Sequence, residues 1–404
     1  MQRRHSSVIL SLALLLGACS HDEASPGGPS SISAPAVARE TPPFWESGAS
    51  VYWNSVARSL VVKYSASPFA AIRGYALLSH AQNASATAVE AATGNPKPSM
   101  TAAIARASVV ALTYLFPAEA AALETLRSAE LSAAGWPGDA NGDVAAGDAI
   151  GQAIGAQMVT AATTDRFFAP WTGTVPTGPG LWFSSLNPPA PPVGAMFGQA
   201  RTYYLTSGDQ FRPPPPPAFG SAEYNAALAE VRHVSDTRTP EQLANALFWA
   251  FPNGTVTPPG YWNIQAANLV VKYHMNETAA SHVLAVMNMA GFDAIVGCHD
   301  AKFTYWMIRP TQADPLITLA VGLPNFPSYP SDHACVSGAQ SSILASFFPA
   351  EKARLDSLAE SAAVSRLEGG LHYRFDNEAG LTLGRSIASF ALSVDGPGRS
   401  ALHH

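Results

Sequence analysis

With 404 residues, 47% of them hydrophobic and 13% charged, the chain has the apolar content for a large packed core, which excludes a disordered polymer. Lys and Arg number 23 against 29 Asp and Glu, a net charge of −6. That balance excludes a nucleic-acid surface, so any anion site must be a local cluster of cations.

Residues 1–18 combine a basic start, MQRRHSS, with an apolar run, VILSLALLL, and small residues before Cys19. This resembles a bacterial lipoprotein signal, which implies that Cys19 becomes the lipid-bearing first residue. An ordinary secretory signal is the alternative, and either one implies export. Ser20 after the cysteine implies, by the same resemblance, an outer-membrane, periplasmic or cell-surface protein held to the membrane by lipid alone. Residues 19–45 read as a flexible tether rich in Ser, Pro and Gly. Beyond it no stretch has the uninterrupted apolar length of a membrane span; 102–118 and 283–297 come nearest and carry Arg106 and Asp293.

The remainder is alanine-rich with apolar residues at helical spacing, and Pro/Gly clusters fall between the helical stretches. Helices are predicted over 50–64, 68–92, 99–115, 118–134 and 144–165, then over 222–233, 240–250, 258–273, 277–304, 333–347, 350–368 and 376–392. The expected fold is all-α: an N-terminal helical half (46–165), a Pro-rich connection (166–220, with TGTVPTGPG, NPPAPPVG and RPPPPPAFG) and a C-terminal helical half (221–396).

The halves repeat each other. YWNSVARSLVVKY (52–64) matches YWNIQAANLVVKY (261–273), and FPAEAAALETL (116–126) matches FPAEKARLDSL (348–358), at offsets of 209 and 232. The second offset sets Pro98-Ser99-Met100-Thr101 against Pro330-Ser331-Asp332-His333, and Ala134 and Ala140 against Arg366 and His372. The scaffold keeps a Pro-Ser helix start in both halves, where Ser331 or Asp332 can cap the helix. The histidine is extra to the scaffold, so a site is expected in the second half only. Trp53 and Trp262, at equivalent positions, read as packing anchors, and His299, His282 and His274 as core or surface histidines. Cys298 and Cys335 leave two readings open, a disulfide or two buried thiols.

Three segments of the second half collect chemistry: KFTYWMIRP with Lys302 and Arg309, YPSDHA with Ser331 and His333, and SRLEGGLHYRFD with Arg366, His372 and Asp376. Three cations, with Arg forks matched to tetrahedral oxyanions, join the N–H groups of the helix start. His372 and Asp376 lie four apart, so on a continuous helix the carboxylate would hold one ring nitrogen while the other points outward. Gly369-Gly370 supplies a break that lets Arg366 and His372 reach one centre.

The pattern Lys302-x6-Arg309-Pro310, Pro330-Ser331-x-His333 and Ser365-Arg366-x5-His372-x3-Asp376 resembles the superfamily of type 2 phosphatidic acid phosphatases, bacterial class A acid phosphatases and vanadium-dependent haloperoxidases. The paired bundles look most like the haloperoxidase branch. The resemblance implies that Lys302, Arg309, Ser331, the N–H of Asp332 and Arg366 hold the oxyanion. It implies His372 as vanadate ligand or phosphoryl-accepting nucleophile, His333 as acid/base and Asp376 as the residue orienting His372. The family usually has glycine where Asp332 stands. Chloride-oxidising relatives carry an aromatic at the position of Phe326 and a tryptophan at that of His299. Three functions follow as expectations. The first is a haloperoxidase-like enzyme with vanadate as cofactor and peroxide and halide as small-molecule substrates. The second is an acid phosphatase using a phosphohistidine on a phosphomonoester, without cofactor. The third is a non-catalytic anion-binding surface lipoprotein.

Overall fold

The computed structural model describes residues 48–132 and 142–395. Residues 1–18, Cys19 and the tether, Ala134 and Ala140 lie outside them. Thirteen α-helices and no strand occur among the described residues. The first half contains α1 (Ala49–Lys63), α2 (Pro68–Ala91), α3 (Met100–Leu115), α4 (Ala120–Ser132) and α5 (Val144–Ala162). The second contains α6 (Ala222–Thr237), α7 (Pro240–Phe248), α8 (Thr257–Lys272), α9 (Glu277–Tyr305), the short α10 (Pro310–Ala313), α11 (Asp332–Phe347), α12 (Lys352–Glu368) and α13 (Arg374–Val394).

Side-chain detail carries the duplication. Ser67 and Asn276 cap α2 and α9, accepting from the N–H groups of Ala70 (3.2 Å) and Ala279 (2.9 Å). Ion pairs Lys63–Glu119 and Lys272–Glu351 tie α1 and α8 to the 3₁₀ turns after α3 and α11. Glycines let α5 touch α3 and α13 touch α11. A Cβ on Gly151 would lie 2.1 Å from the Ala103 carbonyl, and one on Gly384 2.1 Å from that of Cys335. Any side chain there would push the helices apart. Trp53 and Trp262 are fully buried.

The axis of the molecule is α9, which packs on α2, α11 and α13. It is long and apolar enough to cross a membrane by length and composition, with 89% of its apolar window buried in the fold, so a span-length stretch does exist beyond the N-terminus. Its interruption, Asp293, is satisfied inside the core by the N–H groups of Tyr203 (2.9 Å), Tyr204 (2.8 Å) and Leu205 (3.1 Å). Those donors belong to the Pro-rich connection, which wraps α9 and straps the loops beyond it. Tyr305 and Tyr329 hydroxyls donate to the carbonyls of Pro213 (2.8 Å) and Pro214 (2.7 Å). The apolar contacts and these straps hold the ends of α9, α11 and α12 beside each other, which is what the site requires.

Candidate active site

His372 is not on a helix. Helix α12 ends at Glu368, Gly370 takes φ +79°, and Tyr373 is the N-cap of α13, so His372 and Asp376 do not share the continuous helix that their spacing suggested. They meet across the helix start instead. Asp376, in the first turn, accepts from the Tyr373 N–H (3.2 Å), from Ser328 Oγ (2.5 Å) and from His372 Nδ1 (2.8 Å). On its other side His372 Nε2 lies 2.9 Å from Arg309 Nη1. A guanidinium only donates, so Nε2 holds the lone pair and Nδ1 the proton.

Arg309 is fully buried, donating also to the carbonyls of Phe326 (3.0 Å) and Leu371 (3.1 Å), while its Nη2 has no partner. Lys302 Nζ, equally buried, donates to the carbonyls of Pro327 (3.1 Å), Ser328 (2.9 Å) and Pro330. Both cations stack on Phe326, at 5.2 Å for Lys302 and 5.1 Å for Arg309. Arg366 donates to Ser365 Oγ and the Ala246 carbonyl. Burial pushes Arg309 down to about 10 and Arg366 to about 9, values that leave both charged at neutral pH.

Ser331 stands at the N-cap of α11 but does not cap it: its buried hydroxyl has no partner. Ser99, its counterpart, spends its oxygen on the Ala102 N–H (3.1 Å). The helix-start reading of Ser331 is therefore corrected, and neither does the Asp332 side chain cap. That carboxylate turns back toward Lys302 (3.6 Å), His299 Nε2 (3.4 Å) and the Cys298 thiol (3.1 Å). Burial alone would raise it, but Lys302 and His299 outweigh that and hold it well below the usual carboxylate range. His333 Nε2 faces the Trp249 carbonyl at 2.8 Å, an acceptor only, so Nε2 carries its proton and Nδ1 is left for a ligand. Burial, with Arg366 nearby, lowers His333 to about 3; burial, with Arg309 and Lys302, takes His372 well below its ordinary value. Burial raises Asp376 to about 6.

Asp332, His333, Arg366, His372 and Phe326 line one cavity of about 350 Å³. Lys302, Arg309 and Asp376 stand behind its wall, against Phe326 and His372, and Ser331 precedes Asp332 in the chain. Among the described residues neither Arg309 nor Arg366 forms an ion pair: the nearby acids are engaged elsewhere, Asp300 with Arg212 and Glu368 with Asn245. Sequence reasoning missed two contributors. Ser328 carries no motif signal. His299 lies one helical turn before Lys302 on α9, a spacing that put it on the same face; its Nδ1 donates to the Gly194 carbonyl at 3.0 Å. Cys298 and Cys335 are buried free thiols, the Cys335 S–H pointing at Cys298 Sγ.

The donor set fits a tetrahedral oxyanion. Two buried donors, Ser331 Oγ and Arg309 Nη2, are orphaned, and such groups are otherwise costly to leave unpaired. Among the described residues no group of three or more His, Cys, Asp or Glu could hold a bare metal ion.

No curated protein matches the sequence. In fold the chain is similar to a bacterial vanadium-dependent iodoperoxidase, at 23% identity and a TM-score of 0.70 over 85% of this chain and 95% of that one. It is likewise similar to a bacterial vanadium-dependent chloroperoxidase in its apo form (15%, 0.64, 80% and 93%) and its holo form (15%, 0.63, 87% and 94%). A family model described as the PAP2 superfamily matches residues 281–396, the stretch from α9 to α13 that carries Lys302, Arg309, Ser331, His333, Arg366, His372 and Asp376. Over that stretch the chain is similar to the PAP2 superfamily, and it is built on the all-α fold of the vanadium haloperoxidases.

Proposed function

We propose that this protein is a haloperoxidase-like enzyme that oxidises halide with hydrogen peroxide, with vanadate held on His372 Nε2. The observation that carries the reading is the pair of unspent buried donors, Ser331 Oγ and Arg309 Nη2, together with a histidine whose Nε2 lone pair accepts from the same guanidinium. The likeness in fold to an iodoperoxidase and chloroperoxidases favours halide oxidation over phosphomonoester hydrolysis on the same groups.

Vanadate in this place supplies a Lewis-acidic centre that polarises a peroxide O–O bond. Lys302, Arg309, Ser331, the Asp332 N–H and Arg366 neutralise and orient the oxyanion. Asp376 keeps the proton on His372 Nδ1 and so leaves the lone pair on Nε2, where Arg309 now donates and where vanadate would bind; Ser328 fixes Asp376 in turn. His333 Nδ1, neutral and facing the cavity, takes a proton from the incoming peroxide and returns it to the departing oxygen. In sum, halide gives two electrons to hydrogen peroxide and one proton is taken up from solvent: the O–O bond breaks, one oxygen leaves as water and the other as hypohalous acid.

The purified protein, with and without orthovanadate, is assayed for peroxide-dependent triiodide and tribromide formation and for hydrolysis of p-nitrophenyl phosphate. Vanadate-dependent halide oxidation that disappears in His372→Ala is the expected result. Vanadate-inhibited hydrolysis without halide oxidation selects a phosphatase, and activity in neither assay selects an anion-binding protein.

A further inference from the structure

Besides Cys19 the chain has two cysteines, and both meet behind the wall of the candidate site. Cys298 lies on α9 and Cys335 on α11, each without exposed surface, and their sulfurs are 2.8 Å apart. The Cys298 S–H donates to Asp332 Oδ1 at 3.1 Å, nearer than the Pro330 carbonyl at 3.6 Å. Asp332 lines the cavity, as do Ile295, one helical turn before Cys298, and Val336, next to Cys335. The thiol pair is therefore one side chain removed from that space. The duplicated scaffold does not ask for sulfur there. At offsets of 209 and 232 the counterparts of Cys298 and Cys335 are Val89 and Ala103, both buried. Leu205, Ala294, Ala339, Leu383 and Ile387 form an apolar sleeve around the two sulfurs, which leaves each the other as its neighbouring reactive group.

We propose that Cys298 and Cys335 are an oxidation site: hydrogen peroxide entering the cavity converts them to a disulfide, and the disulfide weakens the hold of the site on its oxyanion. The bond stands on its own, whereas its effect on the oxyanion rests on the reading given above. Cys298, in contact with the cavity-lining Asp332, is the thiol that the oxidant meets first. Its Sγ attacks one peroxide oxygen, the O–O bond breaks, and the departing hydroxide takes the thiol proton as water, which leaves a sulfenic acid. Cys335 Sγ, already against that sulfur, attacks it; the S–O bond breaks, and the second hydroxide leaves with the Cys335 proton as water. The two thiols lose two electrons and peroxide gains them. Burial pushes the Cys298 thiol well above its ordinary value, so it is a slow nucleophile that answers an excess of peroxide rather than consuming it at each turnover. Oxidation removes the S–H donor. Asp332 Oδ1 then keeps Lys302, at 3.6 Å, and Oδ2 keeps His299, at 3.4 Å. A carboxylate with fewer donors opposes an incoming oxyanion more strongly.

Two measurements test this. Vanadate-free protein, reduced with a phosphine and desalted, is treated with excess hydrogen peroxide and then catalase, and is mapped by peptide mass spectrometry without reduction. A peptide pair joined through Cys298 and Cys335, and separated again by the phosphine, is the expected result. In calorimetric titration with orthovanadate the oxidised form is expected to bind about threefold weaker, or more, than the reduced form. Cys335→Ser, which cannot bridge but keeps the Cys298–Asp332 contact, is expected to show one affinity before and after peroxide. Cys298→Ser, whose hydroxyl still offers Asp332 a donor, takes its place if Cys335→Ser does not fold. Absence of the bridge, oxidation of Cys298 to a sulfinic acid instead, or equal affinity of the oxidised and reduced forms overturns the proposal. If orthovanadate binds neither form, the oxyanion reading falls, and the bridge alone decides whether the pair is an oxidation site.

Discussion

Asp332 is the residue on which the affinity of the site turns. Its carboxylate lies 3.6 Å from Lys302 and 3.4 Å from His299, and stays ionised because those neighbours outweigh its burial. It therefore offsets part of the positive field that an oxyanion would use. For an anion about 6 Å from that carboxylate, an effective dielectric constant of 20 to 40 gives a repulsion of roughly 1.5–3 kcal/mol per unit charge. Removing the charge should tighten vanadate binding about 10- to 100-fold. Asp332→Asn keeps the shape and removes only the charge, whereas Asp332→Gly also restores the residue usual in the family. Both are expected to bind orthovanadate more tightly by calorimetry, and both to unfold at lower temperature, because Lys302 and His299 lose a buried partner. Binding no tighter than wild type in both variants would refute the electrostatic reasoning and assign the carboxylate a structural role only.

Ser331→Ala should weaken vanadate binding about 5- to 30-fold while leaving the melting temperature unchanged, since its hydroxyl serves no contact within the fold; Ser99→Ala should instead cost about 1 kcal/mol of stability as a lost cap. Gly384→Ala, whose Cβ would meet the Cys335 carbonyl at 2.1 Å, is expected to destabilise by about 1–3 kcal/mol or more in urea titrations. His80, buried in the first half and lowered by that burial to about 4, binds a proton less readily when folded than when unfolded. Its contribution is present above pH 6.5 and is lost as pH falls through 6.5 toward 4, on the order of 3 kcal/mol in all. His80→Leu should flatten the loss of stability over that window; an unchanged slope would remove His80 as its source. We also propose that Cys19 carries lipid, which Cys19→Ser should abolish in palmitate labelling.

The helices were legible because their ends are written in the sequence. Ser67, Ser99, Asp143, Ser221, Thr239 and Asn276 each accept from a first-turn N–H, and the predicted helices begin within two residues of those caps. The composition of the site was legible because its groups fall in three compact segments that the first half lacks. Its geometry was not. The predicted helices stopped at 368 and resumed at 376, so the facing of His372 and Asp376 rested on a continuous helix; the Tyr373 N-cap between them rules that out, and they meet across the start of α13 instead. Spacing alone could not reveal that a serine at an N-cap leaves its hydroxyl unspent, nor that the Pro-rich connection sets the Gly194 carbonyl against His299. These are long-range contacts, decided by how the segments pack rather than by local preference.

The duplicated halves show how a packing motif and a chemical site differ by the fate of a few polar atoms. A serine precedes α3 in one half and its counterpart α11 in the other, and its N–H donates to an aspartate carbonyl at the start of the last helix: Ser99 to Asp143 (2.9 Å) and Ser331 to Asp376 (3.0 Å). In the first half both side chains then serve the backbone, Ser99 capping α3 and Asp143 capping α5 through the Ala146 N–H (2.9 Å). In the second half Ser331 is released from capping, and its hydroxyl takes nothing within the fold. Asp376 still accepts from the N–H of Tyr373, the N-cap of α13, but also takes His372 and Ser328. The released serine cap costs about 1 kcal/mol of helix stability. A fold that spends this at one of two otherwise equivalent places has a reason local to that place, and the proposed oxyanion, which Ser331, Arg309 and His372 would hold, would supply it.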